Sequence, residues 1–209
     1  MSDQRSRRAN GERSRAKILE AALRVAGERG YEGASISAVS EASGLPASSI
    51  YWHFKDKDEL VAAALRHSFD ELVSAFVLPG EEVGGPAERA ALAARSMGEA
   101  VEARPAFLRL GLMLALERQP REPKAREVFL GVRSVARRRL ADMARELVPG
   151  LTEAAAEAVA VYAMAGADGL FVAKEVDGGA VDLPRLFELH ARLVHQAATT
   201  WPPRAEGSS

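Results

Sequence analysis

"GLPASSIYWHFKDKDEL", residues 44–60, is the stretch whose reading decides the fold of this chain. Ile50 and Phe54 stand four apart, so on a helix they share one face and form its inward side. Tyr51, Trp52 and His53 cannot all be buried with them. Pro46 opens this helix, expected over 46–53, and Leu45 before it offers no side-chain cap. Asp56 and Glu59, three apart, form an aspartate version of a capping box and start a longer helix expected from Lys57 to Phe76. Upstream, "ISAVSEA" at 36–42 is a second short helix that stops at Gly44. Two short helices joined by a tight turn have the proportions of a helix-turn-helix, whose second helix lies in the DNA major groove.

The chemistry around the turn fits that proportion. Ala47, Ser48 and Ser49 are small enough to let the start of the second helix approach DNA closely. With Pro46 in the first turn, the free backbone amides there call for an external acceptor, which a phosphate oxygen supplies as well as water does. Tyr51 and His53 carry polar tips that donate hydrogen bonds to phosphate, and Lys57 adds a charge. Trp52 has two open readings: stacking on sugar or a thymine methyl, or packing on the neighbouring helix.

Outward from this core the pattern stays helical. Alternating period-two runs are missing, and Ala, Leu, Arg and Glu dominate, so an all-α protein is expected, with about nine helices. The first helix is read over Ser14–Glu28, with Ile18, Ala22 and Val25 in one row, Leu19, Leu23 and Ala26 beside it, and Gly30 as its stop. Ahead of it, residues 1–17 carry Arg5, Arg7, Arg8, Arg13, Arg15 and Lys17 against Asp3 and Glu12, a net +4 in a chain whose total is -1. Such a basic arm is a nucleic-acid feature or a solvated tail. Beyond the loop "LPGEEVGGPA", further helices are expected near 88–103, 105–118, 124–147, 153–175 and 184–200. The expected division is a flexible arm at 1–12, a helix-turn-helix domain at 13–58, a helical domain at 59–201 and a disordered tail at 202–209.

Composition narrows the function. At 47% hydrophobic and 27% charged, the 209 residues read as an ordinary globular chain. There is no cysteine, which removes disulfides, thiol catalysis and thiolate metal sites. The start "MSDQRSRRANGERSRAK" lacks an apolar signal core and no membrane-length apolar run stands out, so a cytoplasmic protein with no membrane partner is expected. His190 and His195 are five apart, not the three or four that pairs metal ligands on one helical face, and no Gly-rich phosphate loop or nucleophile elbow is present. No cofactor and no metal are expected. The rival classes are a helical enzyme or small-molecule carrier without a local catalytic motif, and a helical interaction protein.

At this point the run "AKILEAALRVAGERGYEGASISAVSEASGLPASSIYWHFKDKDELVAAAL" becomes informative as a whole. It resembles the N-terminal DNA-binding domain of the TetR family, the tetracycline-repressor-like bacterial transcriptional regulators. "GYEGASISAVSEASG" supplies the turn and second helix, and "SIYWHFKDKDEL" the tyrosine, His-Phe and following lysine usual in that family; the likeness covers about 13–65. The resemblance implies that Ser35, where threonine is common, caps the second helix and touches phosphate, and that Tyr51, His53 and Lys57 bind backbone phosphates. It implies that Pro46, Ala47, Ser48, Ser49 and Trp52 approach base edges. Pro46 departs from the usual serine, which leaves backbone amides in place of a side-chain contact. The expected function is a repressor that binds a double-stranded palindromic operator as a homodimer and is released by a small, hydrophobic effector, the helix from Lys57 transmitting the change.

The rest of the chain carries no such likeness. The helix at 153–175 is apolar almost all round and should be covered on more than one side. Ala163, Gly166 and Gly169 on it, with Leu186, Leu189 and Leu193 on the final helix, are the candidate dimer interface. Phe107, Leu110, Met113, Leu114, Phe129, Val132, Tyr162 and Phe171 are candidates for lining a ligand pocket or for ordinary core. Asp168 is the one charge within 158–173; a structural or interface role is placed first, with ligand binding as the alternative.

Overall fold

Two glycines with left-handed backbone set the pace of the N-terminal half: Gly30, with φ 74°, and Gly44, with φ 68°. Only a residue without Cβ adopts this conformation cheaply, so helices bend or end there. The structure is a computed structural model and describes residues 2–75, 78–117 and 123–200. It contains α1 (Ser2–Gly33), α2 (Ile36–Ser43), α3 (Ala47–His53), α4 (Lys57–Ala75), α5 (Pro86–Ala103), α6 (Ala106–Leu116), α7 (Lys124–Leu147), α8 (Glu153–Asp177) and α9 (Leu183–Thr200). Single 3-10 turns lie at Glu81–Val83 and Gly178–Ala180. The fold is all-α, and no strand occurs among the described residues.

Several ends differ from the sequence reading. α1 begins at Ser2, well ahead of Ser14, and so takes in most of the segment expected as a flexible arm. The non-helical backbone of Gly30 interrupts it where a stop is expected, and a short helical piece continues beyond to Gly33. Pro46 is the N-cap of α3, in extended backbone, and Pro105 caps α6. α5 starts at Pro86, two residues before its expected start, because proline fits the first turn, where no N–H is needed. The expected end of α4 at Phe76, most of the "QPREP" break and the tail at 202–209 lie outside the described residues.

The chain divides into two compact units, one made of Met1–Glu71 and Pro105–Val132, the other of Leu72–Arg104 and Arg133–Ser209. This division differs from the expected boundary at 58/59, because α6 and the start of α7 pack with the N-terminal helices. In the first unit, a Cβ on Gly27 of α1 would stand 2.9 Å from the Ala106 Cβ of α6, so the two backbones meet closely. Phe69, Phe107 and Phe129 form a chain of rings with centroids 6.2 and 5.7 Å apart. The Phe129 ring occupies the space where a side chain on Gly111 would be. Ile18, Leu19, Ile50, Leu60, Leu65 and Leu110 complete a fully buried core.

In the second unit α5 lies against α9: Gly98 offers no Cβ, and one placed there would meet the Pro184 Cα at 2.8 Å. Ala90, Leu147, Val148, Val159 and Ala198 form its main apolar cluster. The Thr152 hydroxyl caps α8 by accepting from the Ala155 N–H, a bond of the kind worth about 1 kcal/mol. By length and composition α8 with its following turn is long and apolar enough to cross a membrane, which the sequence reading did not flag. Its apolarity comes largely from alanine and valine, and the ionised pair Arg133–Asp168 sits at mid-helix, a costly group in hydrocarbon. The expectation that α8 is covered on more than one side is not met within one chain: Val161, Tyr162, Val172 and Val176 are exposed.

Candidate nucleic-acid interface

The helix-turn-helix is held by side chains chosen for backbone hydrogen bonding. Ser35 is in extended backbone, and its Oγ accepts from the Ala38 N–H at 3.1 Å, which caps α2. At the other end the Gly44 N–H donates to the Glu41 carbonyl. Three serine contacts then brace the turn: Ser40 Oγ donates to the Leu45 carbonyl at 2.7 Å, Ser43 Oγ donates to the Ser40 carbonyl, and Leu45 N–H donates to Ser43 Oγ. Arg24 of α1 reaches the Ala42 carbonyl at 3.2 Å, a cation at the negative end of α2. The turn is thereby fixed in angle, and with it the direction in which α3 points.

α3 sorts its residues as helical spacing requires. Ile50 and Phe54 are buried, whereas Tyr51 is 59% and Trp52 78% exposed. The Trp52 indole lies largely open to solvent, with one edge towards Gly11 of α1. His53 is half-buried with its ring edge-on to Trp52, centroids 4.6 Å apart. Burial, and then the charge of Arg15, lower its pKa from 6.5, so near neutral pH it offers an uncharged N–H. Pro46 and Ser48 are exposed, and Ala47 and Ser49 half-buried. No side chain caps α3.

Lys57 has neighbours that the sequence reading missed. Its Nζ lies 2.9 Å from a Glu32 carboxylate oxygen and 4.3 Å from the centroid of the Tyr31 ring. Tyr31 in turn donates its hydroxyl to Asp58 Oδ1 at 3.0 Å, and burial followed by that bond pushes its pKa up, keeping the proton on. At the start of α4, Asp56 Oδ1 accepts from the Glu59 N–H at 2.8 Å, and the Glu59 carboxylate accepts from the Lys55 N–H at 2.9 Å. Asp56 caps the helix start that carries Lys57 as the spacing predicts, while Glu59 reaches one residue farther back than a capping box does, to Lys55. The signal for the missed pair was the segment "GYEG": an aromatic and an acid set between two glycines, beside a kink.

The remaining candidates separate into different environments. Phe107, Leu110, Leu114, Phe129 and Val132 are buried in the first unit, and Met113 is 37% exposed. In the second unit Phe171 is buried, but Tyr162 is 64% exposed and lines no interior there. Both oxygens of Asp168 accept from Arg133, at 2.9 and 2.6 Å, so its structural role is that of a two-bond ion pair. Two of the proposed interface residues serve packing within the chain. His190 Nε2 donates to the Ala163 carbonyl at 2.9 Å, and its ring fills the space beside Gly166. Gly169, Leu189 and Leu193 are exposed, with Leu186 half-buried.

A short helix with an exposed aromatic face, clamped to a preceding helix by a braced glycine turn, defines a helix-turn-helix DNA-binding domain. Residues 18–64 match the family model described as bacterial regulatory proteins, tetR family. Residues 18–64 thus carry a DNA-binding domain similar to that of the TetR family of transcriptional regulators. The chain is 45% identical over 53 residues to the HTH-type transcriptional repressor AcnR of Corynebacterium efficiens, covering 25% of this chain and 28% of that one. It is 36% identical over 56 residues to the HTH-type transcriptional regulator AcrR of Shigella flexneri, 27% of this chain and 26% of that protein. The match thus spans only about a quarter of these curated relatives. A transcriptional regulator from Rhodococcus sp. Rha1 superposes with a TM-score of 0.68 at 25% identity, covering 90% of this chain and 99% of the other. SmeT, the repressor of the Stenotrophomonas maltophilia multidrug efflux pump SmeDEF, shares the fold with a TM-score of 0.65 at 17% identity, over 88% and 89% of the two chains.

Proposed function

We propose that this protein is a transcriptional repressor that binds a palindromic operator as a homodimer and releases it on taking up a small hydrophobic effector. The carrying observation is the outward set of α3: Tyr51 and Trp52 exposed over a buried Ile50 and Phe54, on a helix whose angle the serine-braced turn fixes. Tyr51, His53 and Lys57 hold phosphates, joined by Ser35 at the start of α2. Pro46, Ala47, Ser48, Ser49 and Trp52 face the base edges, with backbone amides serving at Pro46 where a side chain has no donor. The chain acts as a regulator and not as an enzyme, in the cytoplasm.

One short reading helix contacts few base pairs, so two copies on a palindrome are needed for useful affinity. The exposed row Val161, Ala165, Gly169, Val172 and Val176 on α8, with Tyr162 beside it and Leu189 and Leu193 on α9, supports that pairing. An apolar surface of this kind is what a second copy covers. Effector binding draws on apolar side chains of the first unit such as Phe107, Met113 and Phe129. α4 and α7 contribute residues to both units and are the continuous elements able to carry a change between them.

The test is equilibrium binding to duplexes from the genomic neighbourhood of its own gene, against random DNA at moderate salt. Ligand-free protein should prefer a palindromic segment, and no preference for any of them overturns the reading. Linkage supplies a second check: a compound found by thermal shift to stabilise the protein must lose affinity in the presence of operator by the factor that it weakens DNA binding. Equal affinity with and without operator rules out the effector step.

A further inference from the structure

The outward side of α3 has a neighbour on another helix. A Cβ on Gly11 of α1 would stand 3.9 Å from Cζ3 of Trp52, and one turn farther on the Arg15 guanidinium carbon lies 5.5 Å from the centre of the Phe54 ring. Gly11 and Arg15, four apart, therefore belong to one row of α1, and that row runs beside Trp52 and the end of α3. Gly11 has no side chain to cover the indole. Arg15 brings a long cation to the same place and is itself exposed, although the ring beneath it is buried. After burial, its charge is the second cause that lowers the His53 pKa, so the guanidinium acts on the imidazole of α3 as well.

Packing accounts for only part of this placement. A cation over a ring at an exposed site is worth about 0.5–1 kcal/mol, which an unbranched apolar side chain covering Phe54 would largely match. Among the described residues no carboxylate forms an ion pair with Arg15, whereas Lys57 at the start of α4 shares its charge with Glu32 at 2.9 Å. Arg13, two residues earlier, is also exposed but lies about 200° round the helix at about 100° per residue, on the side away from α3. Of these cations, Arg15 is the one set against α3 with its charge not offset.

We infer that Arg15 is a phosphate-binding residue of the interface, its guanidinium held over Phe54 so that it meets the DNA backbone beside the base pairs that α3 reads. This rests on the DNA-binding reading above and adds α1 to the elements that touch DNA. The planar fork of arginine matches a phosphate through two parallel N–H bonds. Contact with the ring restrains the long side chain beforehand, so less rotamer freedom is lost when the phosphate arrives. The contribution is independent of sequence, and base preference stays with α3.

The experiment follows log affinity for a random-sequence duplex against log salt, for the full chain and four single variants. Arg15→Gln should make the slope shallower by about 0.9 per bound chain, the value of one phosphate contact. Arg13→Gln removes the same charge from the other side of α1 and should change the slope by less than half as much. Arg15→Lys keeps the charge and should keep the slope. Arg15→Met, which retains an apolar cover on Phe54, should repeat the loss, and it replaces the glutamine variant if thermal melts show that one to be unfolded. An unchanged slope without the Arg15 charge, equal losses at Arg13 and Arg15, or a loss in Arg15→Lys as large as in Arg15→Met overturns the inference and leaves the reading by α3 intact. An unaltered chain that binds no duplex at all sinks the DNA-binding reading, and the inference with it.

Discussion

Two surfaces of this chain hold large side chains out to solvent in opposite chemical company. On α3, Tyr51 and Trp52 stand exposed, with His53 edge-on to Trp52 and the Arg15 guanidinium over Phe54 at the end of the same helix. On α8 and α9, Val161, Tyr162, Val172, Val176, Leu189 and Leu193 form an area in which the row from Val161 to Val176 carries no charge. Exposure alone does not tell the two apart, since Trp52 is 78% and Val176 77% exposed. Their neighbours do. Cations and hydroxyls around an aromatic suit a charged, hydrated partner, whereas branched aliphatics in a row gain only by excluding water. Under the proposed function, one surface meets a polyanion and the other a copy of itself.

The comparison can be broken from the inside first. Ile50→Ala removes the buried side chain beneath α3 and should cost about 2–5 kcal/mol of stability, read by chemical denaturation. A loss under about 1 kcal/mol means that α3 is not anchored as described. Next, Val172→Asp combined with Leu193→Asp places one charge on the exposed apolar side of α8 and one on that of α9. Sedimentation should then report monomers, and affinity for a palindrome should fall about 100-fold or more as the two reading helices lose their linkage. Retained dimers would move the pairing surface elsewhere.

Smaller effects sharpen the α3 side. Lys57→Ala should weaken every duplex about equally and lower the salt slope by about one unit. Glu32→Gln should act in the opposite sense, because the carboxylate 2.9 Å from Lys57 competes with a phosphate for it. An exposed pair of this type is worth up to about 1 kcal/mol, so the gain should be no more than about fivefold. A loss of affinity instead would make Glu32 a positioning residue for Lys57. The smallest effect concerns pH. His53 has its pKa lowered from 6.5 in the folded chain, so below that value the unfolded chain takes up the proton first. Stability is unaffected by this group above about pH 6.5 and declines as pH falls towards the folded pKa. His53→Gln should flatten that decline in thermal melts between neutral and mildly acidic buffer.

The reading surface was legible in the sequence because its determinants are local. Spacing of four separates Ile50 and Phe54 from Tyr51 and Trp52, and Asp56 with Glu59 marks the next helix start before any tertiary contact is known. The Lys57–Glu32 pair was not, since it joins residues on two helices whose approach depends on the kink at Gly30. The same limit governed α8. Its small residues read as an opening for another helix, and Gly166 does admit one; the helix is α9 of the same chain, through His190. Tyr162 read as a pocket aromatic because periodicity ranks it as apolar without saying which way its row faces. α1 starts at Ser2, ahead of Ser14, because arginine-rich sequence favours helix as readily as a tail.

The ring of Phe129 seated over Gly111 has a genetic consequence. The two positions form a lock and a notch, and neither is free to drift alone. Alanine at 111 should be rejected in a selection for functional protein unless the same clone carries a shorter side chain at 129, and Phe129→Leu should act as its suppressor. Recovering Gly111→Ala alone, at full stability, would mean that α6 and α7 can separate at no cost where the glycine now draws them together.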